Sequence, residues 1–239
     1  MEKSRILVWD LPVRVFHWLL AISFAGAYAT SGYDSLRYVH VTLGYTVAVL
    51  IAFRLIWAIV GTRYARLSSF SYGPRAVRGY LGSLLARNPR HYVGHNPAGS
   101  WAIYAIVALG LFTTATGYAR YNHLVGDWIG DVHEVAGNVM LALVIAHIAG
   151  VLVSSFLHRE NLAKSMLTGY KSGHPGQAIS RTRWVTALLL AGFVAAFWSG
   201  AVEIPGLPRS HAVQADREGP ASARSERADG HRESRERGG

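Results

Sequence analysis

The chain has 239 residues, of which 51% are hydrophobic and only 16% charged, with 11 histidines and no cysteine. This is too apolar and too charge-poor for an ordinary soluble domain, and the apolar residues are gathered into long runs, so the expected solvent is the bilayer. The absence of cysteine excludes disulfides, thiolate metal sites, iron–sulfur clusters and covalently attached c-type haem. Any redox chemistry must therefore use histidine-ligated cofactors.

Five stretches approach the roughly 20 residues a helix needs to cross about 30 Å of hydrocarbon. They lie at about 11–31, 38–60, 98–119, 132–157 and 184–204, each bounded by breakers or charge: SGYD after the first, VGTR after the second, IPGLP after the fifth. Lys3 and Arg5 before an apolar stretch, with Ala27-Tyr28-Ala29 beyond it, imitate a cleavable signal peptide, but Arg14 and His17 interrupt the stretch. It reads as a retained span. In GHNPAGSW (94–101), Asn96 should cap the third span, with Pro97 at its first helical position. No strands are expected. Segments 61–97 and 158–183 are too polar to span, and the tail 205–239, rich in Arg, Glu, Ser, Gly and Pro, should be disordered. The expected fold class is thus an all-α integral membrane protein. Its parts are a transmembrane domain over 1–180 containing four helices, an additional transmembrane helix in 181–204, and a charged tail.

Basic residues orient these spans. Segment 61–97 carries Arg63, Arg66, Arg75, Arg78, Arg87 and Arg90 with no acid, and 158–183 carries Arg159, Lys164, Lys171, Arg181 and Arg183 against Glu160 alone. Both should be cytoplasmic by the positive-inside rule, which puts the N-terminus inside and, after five spans, the C-terminus outside. The opposite loops hold Asp34 near Arg37, and Asp127 and Asp131 near Arg120. The net charge of +10 therefore follows from topology and is not a nucleic-acid footprint.

DVHEVAGNVMLALVIAH, residues 131–147, carries a histidine near one end and another at the other. Fourteen residues advance a helix by about 21 Å and turn it through about 1400°, close to four full turns, so His133 and His147 share one face near opposite sides of the membrane. An unpaired polar ring in hydrocarbon costs several kcal/mol, so each needs a partner. A lone histidine of this kind is most often a core ring hydrogen-bonded to a neighbouring helix. Here, however, His17 near the inner end of the first helix comes level with His147, and His40 at the outer start of the second comes level with His133. Two such pairs at two depths are what two stacked b-type haems require, each iron taking a neutral imidazole from either side.

Gly44, Gly137 and Gly150 each lie one turn beyond a histidine, where a missing side chain lets a flat macrocycle approach the backbone, although small residues are also routine at transmembrane contacts. Arg14, nearly one turn before His17, and Arg54, at the cytoplasmic end of the second helix, either pair with inner-haem propionates or snorkel at the interface.

WDLPVRVFHW (9–18), FRLIWAIVGTRYARLSSF (53–70), GHNPAGSW (94–101) and HEVAGNVMLALVIAH (133–147) together resemble the bacterial cytochrome b561 family, over about residues 7–170. That family includes the membrane cytochrome b subunit of nickel–iron hydrogenases. The resemblance implies a four-helix di-haem bundle in the inner membrane that passes electrons between the quinone pool and a redox partner, either a periplasmic cytochrome c or an oxidoreductase subunit. It carries the four axial iron ligands onto His17, His40, His133 and His147. His95 is a candidate contact to the inner haem or to quinone. His91, His123, His158, His174, His211 and His231 receive no ligation. Two rival function classes are a self-contained superoxide:quinone oxidoreductase and a proton or metal-ion transporter using membrane histidines. The electron-transfer subunit is favoured, because the only chemistry-bearing constellation is that of haem and quinone sites.

Overall fold

A computed structural model describes residues 4–202, so the charged tail expected over 205–239 lies outside the described residues. By contact the chain divides into two compact units, Met1–Ala191 and Gly192–Gly239.

In the first unit, helices α1 (Leu11–Thr30), α2 (Arg37–Val60), α4 (Pro97–Tyr121) and α5 (Trp128–His158) are long and apolar enough to cross a membrane. Between α2 and α4 lies a shorter helix, α3 (Pro74–Leu85), and α5 is followed by α6 (Leu162–Thr168). Each span starts where its sequence satisfies the free N–H groups of a first turn. The carboxylate of Asp10 accepts the Val13 N–H at 2.9 Å and opens α1, with Pro12 in the first turn. The Asn96 side chain accepts the Gly99 N–H at 2.7 Å and opens α4 ahead of Pro97, as the sequence predicts. Helix α5 begins four residues earlier than its apolar run. Asp131 falls in its first turn, where a carboxylate meets the positive end of the helix dipole.

Helix α1 packs on α2, α2 on α4, and α4 on α5. Close approach depends on two glycines: a Cβ on Gly26 would lie 2.7 Å from Leu43, and one on Gly110 would lie 2.6 Å from Ile51. Without a strong hydrophobic drive between helices in lipid, such close contact supplies the dispersion energy that holds spans together.

Two expectations need correction. The first is the absence of strands: β1 (Ser4–Leu7) and β2 (Tyr170–Gly173) form an antiparallel pair, with Ser4 opposite Gly173 and Leu7 opposite Tyr170. Four residues are too few to show a period of two, and neither strand exists without the other, so local sequence carries no sign of them. The second is the fifth helix, expected over 184–204. Helix α7 (Trp184–Trp198) stops after 15 residues, at a turn in which Gly200 takes φ +75°. At about 1.5 Å per residue it covers roughly 22 Å, short of the hydrocarbon thickness.

The sheet anchors one end of the bundle. Ile6, Val8 and Trp9 form an apolar cluster with Tyr64 and Ile179. The Tyr64 hydroxyl donates to the Gln177 carbonyl at 2.8 Å, and the Leu11 N–H to the Thr182 carbonyl at 2.9 Å. Lys171, on β2, is buried; its Nζ donates to the Tyr92 carbonyl at 3.2 Å and pairs with Glu160 at 3.7 Å. Burial pulls its pKa below the ordinary lysine value, opposed by the Glu160 charge. The start of the chain, the arginine-rich segment after α2 and the basic segment after α5 therefore meet at the same end, as an even number of crossings between them requires.

Asp10 ties α1 to this end. It is 1% exposed, and besides capping α1 its Oδ2 accepts the Trp57 indole N–H at 3.1 Å and the Thr62 hydroxyl at 2.6 Å. Asp10→Ala removes the cap and strands two buried donors, at an expected cost of about 2–3 kcal/mol. Thermal denaturation of the detergent-solubilised protein should show a fall of several degrees, with Asp10→Asn in between. An unchanged melting temperature would count against this role.

Candidate functional site

A cavity of about 590 Å³ opens among α1, α2, α4 and α5 at the end away from the sheet, with His40 and His133 in its wall. The two rings stand 6.0 Å apart, centroid to centroid, and perpendicular. Two metal–imidazole bonds of roughly 2 Å, plus about 1 Å from each nitrogen to its ring centre, give a centroid separation of about 6 Å. The rings are thus spaced to share one metal atom.

Their protons are fixed as well. His40 Nδ1 lies 2.7 Å from the Ala27 carbonyl, and His133 Nδ1 lies 2.9 Å from the Thr113 carbonyl and 3.2 Å from the Thr116 hydroxyl. A carbonyl can only accept, so in each ring Nδ1 carries the hydrogen and Nε2 keeps its lone pair, the tautomer a metal-ligating imidazole needs. Gly117 makes the His133 position possible, since a Cβ there would lie 2.8 Å from the ring. Gly44 and Gly137 line the same cavity, and a Cβ on either would meet no chain atom within 4 Å. Each of these two histidines thus has open space one turn along its helix.

The second pair lies deeper. His17 on α1 and His147 on α5 are near enough to act on one another electrostatically. His17 Nδ1 is buried without a hydrogen-bond partner, and the Trp18 ring stands edge-on 5.2 Å away. A buried ring nitrogen left unsatisfied costs free energy that a ligand would recover. Gly150 likewise has open space where a Cβ would lie.

The two arginines are held at the same end as this pair. Arg54 is 5% exposed; its Nη1 donates to the Ala65 carbonyl at 3.0 Å, and its guanidinium sits 5.7 Å over the Phe70 ring. Arg14 donates through Nη2 to the Leu167 carbonyl, while its Nε is buried and unpaired. Neither is a free snorkelling side chain, and each retains further N–H groups. His95 lies between Trp9 and Phe70, with ring centroids at 4.6 and 4.7 Å, and its Nδ1 is buried without a partner. Loss of water around the ring, with the nearby charges of Arg54 and Lys171 and the His147 ring adding to it, pushes its pKa down to about 3. It is neutral at physiological pH.

The remaining described histidines have other roles. Both ring nitrogens of His158 meet backbone carbonyls, of Ser154 at 2.8 Å and Arg90 at 3.2 Å, and His91 lies against it. His174 starts a short 3-10 turn, and His123 follows α4 in a left-handed conformation. Among the described residues no group of three or more His, Cys, Asp or Glu side chains gathers as a bare metal ion would require. The sequence reading missed Thr113, Thr116, Gly117 and the Ala27 carbonyl, which position the outer rings. The three α4 residues share one helix face at spacings of three and four, but nothing in a single sequence marks that face as the one turned toward His133.

These features define a class: a multi-pass helical membrane protein with imidazoles paired across the slots of its bundle. The model of the prokaryotic cytochrome b561 family matches residues 8–169, and the chain belongs to that family. It is a transmembrane cytochrome b, a haem protein of electron transport, and its spans and family fit the bacterial inner membrane. Among its relatives is the probable Ni/Fe-hydrogenase B-type cytochrome subunit of Rhizobium leguminosarum bv. viciae, 26% identical over 71% of this chain and 90% of the relative. The probable Ni/Fe-hydrogenase 1 B-type cytochrome subunit of Escherichia coli K12 is 25% identical over 74% and 94%. The Rhodobacter capsulatus subunit of the same description is 22% identical over 72% and 83%. No solved structure matches the chain at significance.

Proposed function

We propose that the chain holds two b-type haems, one between His40 and His133 and one between His17 and His147, and relays electrons between an external oxidoreductase and the quinone pool. The observation that carries this reading is the outer pair: two imidazole rings with their centroids 6.0 Å apart in the wall of a cavity lined by glycine. Each haem supplies a one-electron ferric/ferrous couple. The chain's own work is to present four neutral imidazoles, to fix the outer tautomers through Ala27 and Thr113, and to meet inner carboxylates with the unspent N–H groups of Arg14 and Arg54. The names of the relatives favour a hydrogenase-type subunit as the partner over a cytochrome c. The N-terminus and the basic segments lie on the cytoplasmic side. Asp34, Asp127 and Asp131 on the short outer loops help orient a docking partner, in a salt-dependent way.

Quinone is apolar and enters from the lipid, and its reduction takes up protons. The inner end offers His95, Arg14 and Arg54 beside the His17–His147 pair. Because His95 is neutral, its one ring N–H can donate a hydrogen bond to a quinone oxygen, and it carries no second, acidic proton to deliver. A reduced-minus-oxidised spectrum and haem quantification of the purified chain test the cofactor reading, with two haems per chain expected. Photolabelling with an azido-quinone followed by peptide mapping tests the site, with label expected on 8–20 and 90–105. Label concentrated on 31–45 and 118–135 would move quinone to the outer haem.

A further inference from the structure

The outer cavity has a charged rim that the haem ligands leave unexplained. Arg37 opens α2 one turn before His40, and Arg120 lies in the last turn of α4, one turn beyond Thr116, which contacts His133. Both arginines line the cavity, and among the described residues neither forms an ion pair, although Asp34 and Glu134 line it too. Arg120 lies close enough to His133 for its charge to act on the ring. Its position depends on a glycine. A Cβ on Gly130, one turn before His133, would fall on the Arg120 guanidinium itself. Gly130 is buried in the first turn of α5, so the arginine lies flat against that turn.

Two guanidiniums one turn outward of two facing imidazoles form a graded site: neutral nitrogen ligands within, cationic forks at the mouth. A ligand matching that order is a flat apolar ring with a metal at its centre and carboxylates along one edge. A quinone has no carboxylates to match the rim. We propose that Arg37 and Arg120 are the carboxylate clamp of the outer site, with Gly130 the residue that seats Arg120. The clamp rests on the assignment of His40 and His133 as iron ligands. Guanidinium pairs with carboxylate through two parallel N–H···O bonds, and at a solvated rim the hydrogen-bond geometry matters as much as the charge. The clamp also sets the direction of an electrostatic effect. A positive charge beside the ring favours the reduced, more negative state, so the arginines raise the outer potential.

The test is an optical redox titration, with haem quantification, of the full-length purified protein and the variants Arg37→Gln, Arg120→Gln, Arg120→Lys, Gly130→Ala and His40→Ala. Arg37→Gln and Arg120→Gln should each shift the outer haem's reduced-to-oxidised ratio about tenfold toward oxidised, or about 59 mV downward for one electron. Each should also lose outer haem on prolonged detergent washing. Arg120→Lys should recover most of the potential, because it keeps the charge. Gly130→Ala, which removes no charge, should shift the potential in the same direction by displacing Arg120. Arg75→Gln, on α3 at the opposite end, should leave both potentials in place. If His40→Ala removes one haem while the rim variants leave its potential and retention unchanged, the clamp is overturned and the ligand assignment survives. If His40→Ala keeps both haems, the ligand assignment fails and the clamp falls with it.

Discussion

Alanine in place of His40 or His133 should leave about half the haem per chain, with the outer haem missing. Alanine in place of His17 or His147 should leave the other half. The reason is energetic as well as geometric. On the proposed ligation each iron would be held by both imidazoles of its pair, and the structural free energy tied to either ring is small beside the loss of a metal bond. At the outer site the remaining histidine stays pinned by its Nδ1 hydrogen bond, to Ala27 or to Thr113. The apo slot should therefore persist, and the bundle should survive. Haem quantification on the four variants, with a redox titration of what remains, decides the matter. Loss of different haems from His17→Ala and His147→Ala would break the inner pairing, and full retention in any variant would remove that histidine from the ligand set.

The second large effect concerns shape. At Gly137 the chain has open space on the cavity side, so Gly137→Leu should fold and yet fill the slot with four carbons, abolishing outer haem while the inner haem stays at full occupancy. In the absence of haem this variant should be no less stable than the wild type, since leaving glycine in mid-helix costs about 1 kcal/mol relative to a good helix former. Gly117→Leu is the informative contrast. Its side chain meets the His133 ring itself, so it should disturb both the haem and the bundle. Thermal melting beside haem spectra separates the two cases. Outer haem retained at normal occupancy in Gly137→Leu would show that the ring does not lie against that face of α5.

Much of this architecture was legible in the sequence because its determinants are local. Asn96-Pro97 states a helix start, and the uncharged, mostly apolar run from Ala98 to Ala119 states a span. The separation of His133 from His147 fixes their common face by helix arithmetic alone. The pairing of His40 with His133 required one further step, that both open helices entering from the same side. What the sequence could not show is what depends on a distant partner. The Ala27 carbonyl is a hydrogen-bond acceptor in any sequence, and only the approach of α1 to α2 assigns it to His40. Gly130 looks like an ordinary small helix residue until Arg120 lies on it. The strand SRIL has no meaning without YKSG, and the stop of α7 at Trp198 reflects a turn rather than an end of apolar composition.

The two-stranded sheet also sets an order of assembly. Ser4 precedes all four long spans, but its partner Gly173 follows them. At roughly 5–20 residues per second, the first strand waits about 10–30 s for the second to be synthesised. Until then Val8 and Trp9 lack their enclosure and Glu160 lacks its lysine partner, and the end of the bundle bearing the basic segments stays open. The strand therefore acts as a closing clasp: the segment ahead of α1 is among the last parts to find its place, and a defect in β2 would appear as an unsealed end in a protein whose spans had already inserted.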